Sequence, residues 1–337
     1  MSMTTAQYLR KSAAVFSIFA LMITGCQSAN NSSSANTPQK EQPIQVLTIG
    51  TADSGGTMYP VGRAISQVIN EKIPQMKINI GASNGSLTNI EGLRGGQIDL
   101  GLVSGDVAYC AYWGEEEFSG KPMKDLRAIG AVYFSQSNWI AKDTSNAVFV
   151  HDLLGKRVAV GPESSTTELS ARIALQVVGI NSSNTKLVNY GLGAGSKAML
   201  EGKIDAMHGL AGIPIKAMQD LFKSESCHLL RYTDDELKAI LDDNGQYLKT
   251  IIPAGTYSGQ KEDVPTFGVK CVLCVNADMD EETVYNITKI LRQSVEDLDE
   301  LHYSLDNMKD TDFVTKDLPV PLHPGAERFY KEAGLIK

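Results

Sequence analysis

IQVLTIGTADSGGTMYP, residues 44–60, reads as a strand that runs into a glycine- and serine-rich loop and then the first turn of a helix. Ile44–Gly50 is apolar and rich in β-branched residues, as a buried strand requires. Beyond Thr51–Thr57, Val61, Ala64, Ile65, Val68 and Ile69 recur at i, i+3, i+4, i+7 and i+8, which is one apolar face of a helix. Met76–Gly81 is a second strand, Leu87–Arg94 a short helix and Ile98–Val103 a third strand. The order β-loop-α-β-α-β belongs to a parallel α/β layer.

The same order returns. Arg157–Gly161 is a strand, Pro162–Thr167 (PESSTT) a loop, and Leu169, Ile173, Ala174, Val177 and Val178 mark a helix face. Thr185–Tyr190 is a strand, Ser196–Glu201 a short helix and Ile204–Leu210 a third strand. Gly96-Gln-Ile-Asp99 matches Gly202-Lys-Ile-Asp205, each between a short helix and a strand. Gly50 precedes Gly96 by 46 residues and Gly161 precedes Gly202 by 41, so two similar lobes are expected. Phe267–Val275 and the helix after it, with Val284, Ile287, Leu291 and Leu298 on one face, return to the first lobe. The expected domains are residues 44–140 with 264–337, and residues 141–263. The connections near Ala128–Ala141 and Pro253–Phe267 then cross between lobes, forming a hinge with a cleft beside it.

In a parallel α/β sheet, ligands sit beyond the carboxyl ends of the strands, where the next helices begin. The first lobe offers Ser54, Gly55, Gly56 and Thr57, followed by Tyr59; the second offers Ser164, Ser165, Thr166 and Thr167. Gly85-Ser86 and Ser104-Gly105-Asp106 begin two further helices, and Ala211-Gly212 closes a strand. Free N–H groups at several helix starts form an anion site without a fixed positive side chain. Thr57 reads as an N-cap. Asp106 reads either as a cap of its own helix or as an acceptor for a ligand ammonium. Tyr59, Tyr109 and Tyr133 either pack or donate a hydroxyl to a carboxylate.

Composition narrows the functional classes. The 337 residues carry 31 Lys+Arg against 39 Asp+Glu, a net charge of −8, which disfavours binding to a phosphate backbone. No apolar run reaches the roughly eighteen residues of a membrane span. Gly191-Leu-Gly-Ala-Gly195 follows a strand, but its third glycine is misplaced for a dinucleotide loop. The histidines, His151, His208, His228, His302 and His323, lack metal-ligand spacing, and no G-x-S-x-G elbow occurs. Cys271-Val-Leu-Cys274 sits within an apolar strand, where residues three apart face opposite ways, so it reads as core. No catalytic residue, cofactor or metal is expected.

The first 25 residues read as a secretory leader, with Arg10-Lys11 before the apolar Ser12–Met22. Ile23-Thr24-Gly25-Cys26 resembles a bacterial lipobox, which makes Cys26 the expected lipidation site. Residues 26–43, rich in Ser, Asn and Gln, read as a flexible tether. The domain is expected outside the cytoplasmic membrane, held to it by lipid alone.

Several of these runs also carry a family resemblance. Gly50–Pro60, Asp99–Tyr109, Gly155–Glu168, Ala211–Pro214, Ile252–Tyr257 with Val264-Pro265-Thr266, and Leu318–Ala326 are similar to the TAXI solute-binding proteins of TRAP transporters. The resemblance spans Ile44 to about Ile336. It implies a two-lobe, Venus-flytrap receptor of the periplasmic-binding-protein type, monomeric and non-enzymatic. Such a receptor captures a small organic acid or amino acid, such as glutamate or 2-oxoglutarate, and delivers it to ion-coupled TRAP-type membrane permease subunits. The alternatives are the lipoprotein component of an ABC importer or a ligand-binding sensor, and after them an extracytoplasmic enzyme. Two runs depart from the family: Ser104-Gly105-Asp106 stands where Gln-Ser-Asp is common, and Asn84-Gly85-Ser86 where Gly-Gly-Ser is common.

Overall fold

The computed structural model describes residues 43–224 and 226–337. The leader, Cys26 and the tether up to residue 42 lie outside the described residues. The chain opens with β1 (Gln45–Gly50), α1 (Met58–Lys72), β2 (Met76–Gly81), α2 (Ser86–Arg94), β3 (Leu100–Ser104) and α3 (Gly105–Trp113), then the long strand β4 (Leu126–Lys142). The order recurs as β5 (Arg157–Ala159), α4 (Thr166–Val177), β6 (Lys186–Val188), α5 (Leu192–Leu200) and β7 (Ala206–Ala211). Next come α6 (Lys216–Ser224), β8 (Cys227–Leu229), α7 (Asp234–Asp243), β9 (Leu248–Ile252) and a second long strand, β10 (Val264–Asn276). The chain ends with α8 (Glu281–Gln293), α9 (Val295–Leu301), α10 (Thr311–Thr315) and α11 (Pro324–Glu332).

The strands form one mixed sheet in the order β2-β1-β3-β10-β4-β7-β5-β6, with β8 joined to β4 and β9 to β10. Each half repeats one unit: β1 pairs in parallel with β2 and β3, and β5 in parallel with β6 and β7. The matched G-x-I-D runs have a shared structural task. Gly96 and Gly202 both take the left-handed turn (φ 66° and 69°). Asp99 then accepts the Thr48 N–H of β1 at 2.7 Å, and Asp205 the Arg157 N–H of β5 at 2.9 Å. Each carboxylate thereby ties the end of its α-turn-β connection to the neighbouring first strand.

β4 and β10 run antiparallel to each other through the middle of the sheet, from Gly268 opposite Gln136 to Asn276 opposite Leu126. Both faces are covered, so the apolar side chains divide into clusters on either side of each half. Leu47, Ile49, Val61 and Ile65 pack with Val284, Ile287 and Leu291 of α8 and with Leu298 of α9. α8 and α9 therefore pack against the first half. Cys271 packs in that cluster and Cys274 in the one across the sheet, on opposite faces of β10. Several boundaries differ by one to three residues, and one helix start by four. The helix expected at Ser196–Glu201 starts at Leu192, so the glycines of Gly191–Gly195 form its cap and first turns.

Candidate functional site

The loops after β1 and β5 meet across the middle of the sheet and border a partly open cavity of about 50 Å³. From the first half come Ala52, Asp53, Gly56, Thr57, Met58, Asn84 and Gly85, with Tyr133 from β4. From the second half come Pro162, Ser165, Thr166, Thr167, Leu192, Leu210 and Ala211. The starts of α1, α2, α4 and α5 all contribute. Ser165 caps α4, its hydroxyl accepting the Glu168 N–H at 3.1 Å and donating to the Pro162 carbonyl at 2.6 Å. Helix geometry leaves the N–H groups of Thr166 and Thr167 without an intrahelical acceptor, so the positive end of α4 faces the cavity. Thr166 Oγ1 is buried and has no hydrogen-bond partner.

Of the residues singled out in the sequence, Gly56, Thr57, Tyr133, Ser165, Thr166, Thr167 and Ala211 line the cavity. Ser54, Tyr59, Ser86, Ser104, Asp106, Tyr109, Ser164 and Gly212 are not among its lining residues. The departures have physical causes. Ser86 Oγ accepts the Ser104 N–H at 2.9 Å, and Ser104 Oγ donates to Asp106 Oδ1 at 2.5 Å. The same oxygen of Asp106 accepts the Val107 N–H at 2.9 Å, while Oδ2 accepts the Tyr247 hydroxyl at 3.1 Å. Asp106 is thus a buried junction between β3–α3 and the loop before β9. Burial pushes its carboxyl above the ordinary value, and these hydrogen bonds draw it part of the way back.

Ser54 and Ser164 are exposed, and Ser164 takes a left-handed φ of 58° with its N–H turned to Glu168 Oε2 at 2.8 Å. Tyr109 packs its ring near Trp113, with centroids 6.3 Å apart. Thr57 stands at the N-cap but makes no side-chain cap; its hydroxyl donates across to the Gly212 carbonyl at 2.8 Å. Gly212 therefore joins the halves beside the cavity rather than lining it.

Behind Thr167 lies a buried polar chain. Trp139 Nε1 donates to the Tyr232 hydroxyl at 2.6 Å, and Tyr232 donates to Ser137 Oγ at 3.1 Å. Ser137 Oγ donates to His208 Nε2 at 2.9 Å, and His208 Nδ1 donates to the Thr167 carbonyl at 3.1 Å. The carbonyl can only accept, which sets the tautomer and the direction of every bond in the chain. Burial lowers the His208 pKa from 6.5 to about 3, so the ring is neutral in the fold. Its contribution is present above pH 6.5 and is lost as pH falls below that value, because the unfolded chain takes the proton first. Stability at pH 5 is expected to fall by roughly 2 kcal/mol through this group. Urea midpoints at pH 7 and 5, for wild type and His208→Phe, check it; an equal drop in both proteins would remove the assignment.

Asp53 and Leu192 lay in quoted runs without being singled out, and both line the cavity. Symmetry held the signal for the second. The start of α5 is the counterpart of the start of α2, where Gly85-Ser86 was already a candidate. Here the two halves touch. A β-carbon on Gly55 would lie 2.5 Å from the Gly193 nitrogen, and one on Gly191 would lie 2.5 Å from Asp53 Oδ2.

The family described as NMT1-like matches residues 49–334. Among solved structures, the chain is similar to MatC from Rhodopseudomonas palustris with bound malate. The two are 14% identical, the match covers 87% of this chain and 98% of that one, and the TM-score is 0.56. A protein from Bordetella bronchiseptica RB50 is 13% identical over 86% of this chain and 98% of that one, with a TM-score of 0.54. An ancestral arginine-binding protein bound to arginine is 11% identical over 78% and 99%, with a TM-score of 0.50. At these identities the likeness establishes the fold, the two-lobe α/β architecture of periplasmic binding proteins.

Proposed function

This chain belongs to the NMT1-like family, and we propose that it is the extracytoplasmic solute receptor of a membrane transporter, capturing a small organic acid or amino acid between its lobes. One observation carries this reading: a cavity where two halves of the fold meet, lined by helix starts and by Thr166, whose buried hydroxyl has no partner. No Lys, Arg, His or Cys lines it, and burial holds the Tyr133 phenol well above its ordinary range. Among the described residues that line it, hydroxyls, amides and helix starts predominate, groups suited to holding a polar solute. The two structural relatives solved with malate and with arginine also hold small carboxylates.

In this reading residues 44–140 with 264–337 form one lobe and residues 141–263 the other, hinged on β4 and β10. The leader exports the chain and Cys26 anchors it by lipid. The runs similar to TAXI receptors favour TRAP-type permease subunits as the partner, over an ABC importer. Uptake into vesicles carrying TRAP-type subunits, driven by an ion gradient and dependent on the added receptor, tests that pairing; uptake that requires ATP instead would assign the importer. Ligand-dependent thermal stabilisation without turnover tests capture, with a gain of about 2.7 kcal/mol expected at 100 times Kd.

Thr166→Val separates a ligand hydroxyl from a structural one. The substitution keeps the shape and removes an unpaired buried hydroxyl, so the unliganded protein is expected to be equally or more stable. Solute affinity is expected to fall by about 1 kcal/mol. Titration calorimetry and urea unfolding on the same variant check both halves; lower stability with unchanged affinity would make Thr166 a structural residue only.

A further inference from the structure

We propose that Asp53 makes the cleft selective for a small zwitterion with a single carboxylate, a short-side-chain α-amino acid, over dicarboxylates and 2-oxo acids. The proposal rests on the receptor reading above. Asp53 Oδ1 accepts the Gly55 N–H at 3.0 Å, which fixes the carboxylate in its loop. Asp53 lines the cavity, and its Oδ2, which accepts no hydrogen bond among the described residues, lies beside Gly191. Thr166, whose Oγ1 is buried and unpartnered, lines the same cavity together with the start of α4. The cavity therefore has one anionic pole and one pole of hydrogen-bond donors.

The rest of the lining is uncharged, with Met58, Leu192 and Leu210 beside Thr57, Asn84 and Tyr133. A ligand carboxylate at α4 and an ammonium at Asp53 satisfy both poles with charge-assisted hydrogen bonds. A second carboxylate would meet no cationic side chain, only neutral donors, and would share the cavity with the Asp53 carboxylate. A 2-oxo group presents only lone pairs where Asp53 also presents lone pairs.

The test is calorimetric titration of the purified protein and its Asp53→Asn variant. The probes are glycine, L-alanine and L-serine against pyruvate, succinate, L-glutamate and 2-oxoglutarate, with glucose as a neutral control. Asparagine keeps an oxygen for the Gly55 N–H, and Asp53→Ser serves as a second variant with a short acceptor. Wild type is expected to bind at least one of the short amino acids at least tenfold more tightly than any 2-oxo or dicarboxylic probe. Asp53→Asn is expected to weaken that amino acid by about 10- to 100-fold and to leave or improve the 2-oxo acids. Tighter binding of glutamate, succinate or 2-oxoglutarate by wild type overturns the proposal and leaves the receptor reading standing. Equal weakening of every probe in both variants also overturns it, making Asp53 a tie between the lobes. Binding of none of the probes overturns the receptor reading itself, and the proposal falls with it.

Discussion

Gly55→Ala is expected to weaken solute binding by roughly 10- to 100-fold by parting the two loops that meet beside the cavity. The backbone of Gly55 is outside the left-handed region, so alanine introduces no conformational strain there. What it introduces is one methyl group at 2.5 Å from the Gly193 nitrogen, in the other half of the fold. A backbone atom cannot rotate aside, so the two loops must part, and the Thr57–Gly212 hydrogen bond beside them lengthens. The cavity then opens further to water, which weakens each polar contact inside it. Gly191→Ala is a graded companion. Its methyl group would meet Asp53 Oδ2, the end of a side chain that can turn away, so the loss is smaller and falls mainly on ligands that use Asp53. Calorimetry gives the affinities, and small-angle scattering at saturating ligand reads closure. A Gly55→Ala protein with wild-type affinity would show that this approach of the lobes is not needed for capture.

Asp106→Ala is expected to lower stability by about 3 kcal/mol without changing which solutes are preferred. The side chain is buried and receives Ser104 Oγ, the Val107 N–H and the Tyr247 hydroxyl; alanine strands all three donors away from water. Asp106→Asn is expected to be much milder, since its carbonyl oxygen can keep Ser104 Oγ and the Val107 N–H while the Tyr247 hydroxyl rotates to accept from its amide. The pH dependence has a definite sign. Burial raises the folded pKa above the ordinary 3.8, so the fold holds this proton more tightly than the unfolded chain does. Its contribution is fully present below pH 3.8 and is lost as pH rises through the folded value. The difference in unfolding free energy between wild type and Asp106→Asn should therefore move against wild type as pH rises from 4 to 7. A difference that is flat, or that moves the other way, would show that the hydrogen bonds outweigh burial. A solute preference altered by Asp106→Asn would return this residue to the ligand.

Elements with a single clear periodicity were legible from sequence. β1, α1, β2 and the helix face of α4 each bury one set of side chains at strand or helix spacing, and that pattern survives any tertiary context. β4 was legible only as a crossing segment. Its second half contains Ser135, Ser137 and Asn138, all buried, which break the apolar alternation of a strand. They are tolerated because distant partners satisfy them: His208 and Tyr232 for Ser137, and Tyr257, whose hydroxyl donates to Asn138 Oδ1 at 2.9 Å. No local window contains those partners.

The sequence by itself determined a twofold β-loop-α-β-α-β chain and the loops where helix starts gather, because strand and helix periods, glycine turns and the two G-x-I-D ties are set within a few dozen residues. Only the tertiary structure decided which side chain of each loop meets the cavity. Ser164 and Thr166 are two residues apart, yet one is turned out by a left-handed backbone and the other lies buried and unpartnered. Asp53 and Asp106 both precede or open helices at strand ends, yet Tyr247, 141 residues beyond Asp106, occupies the carboxylate of one and leaves the cavity to the other. Those outcomes depend on how closely the two halves approach, a distance that glycines at 55 and 191 permit but that no stretch of either loop encodes alone.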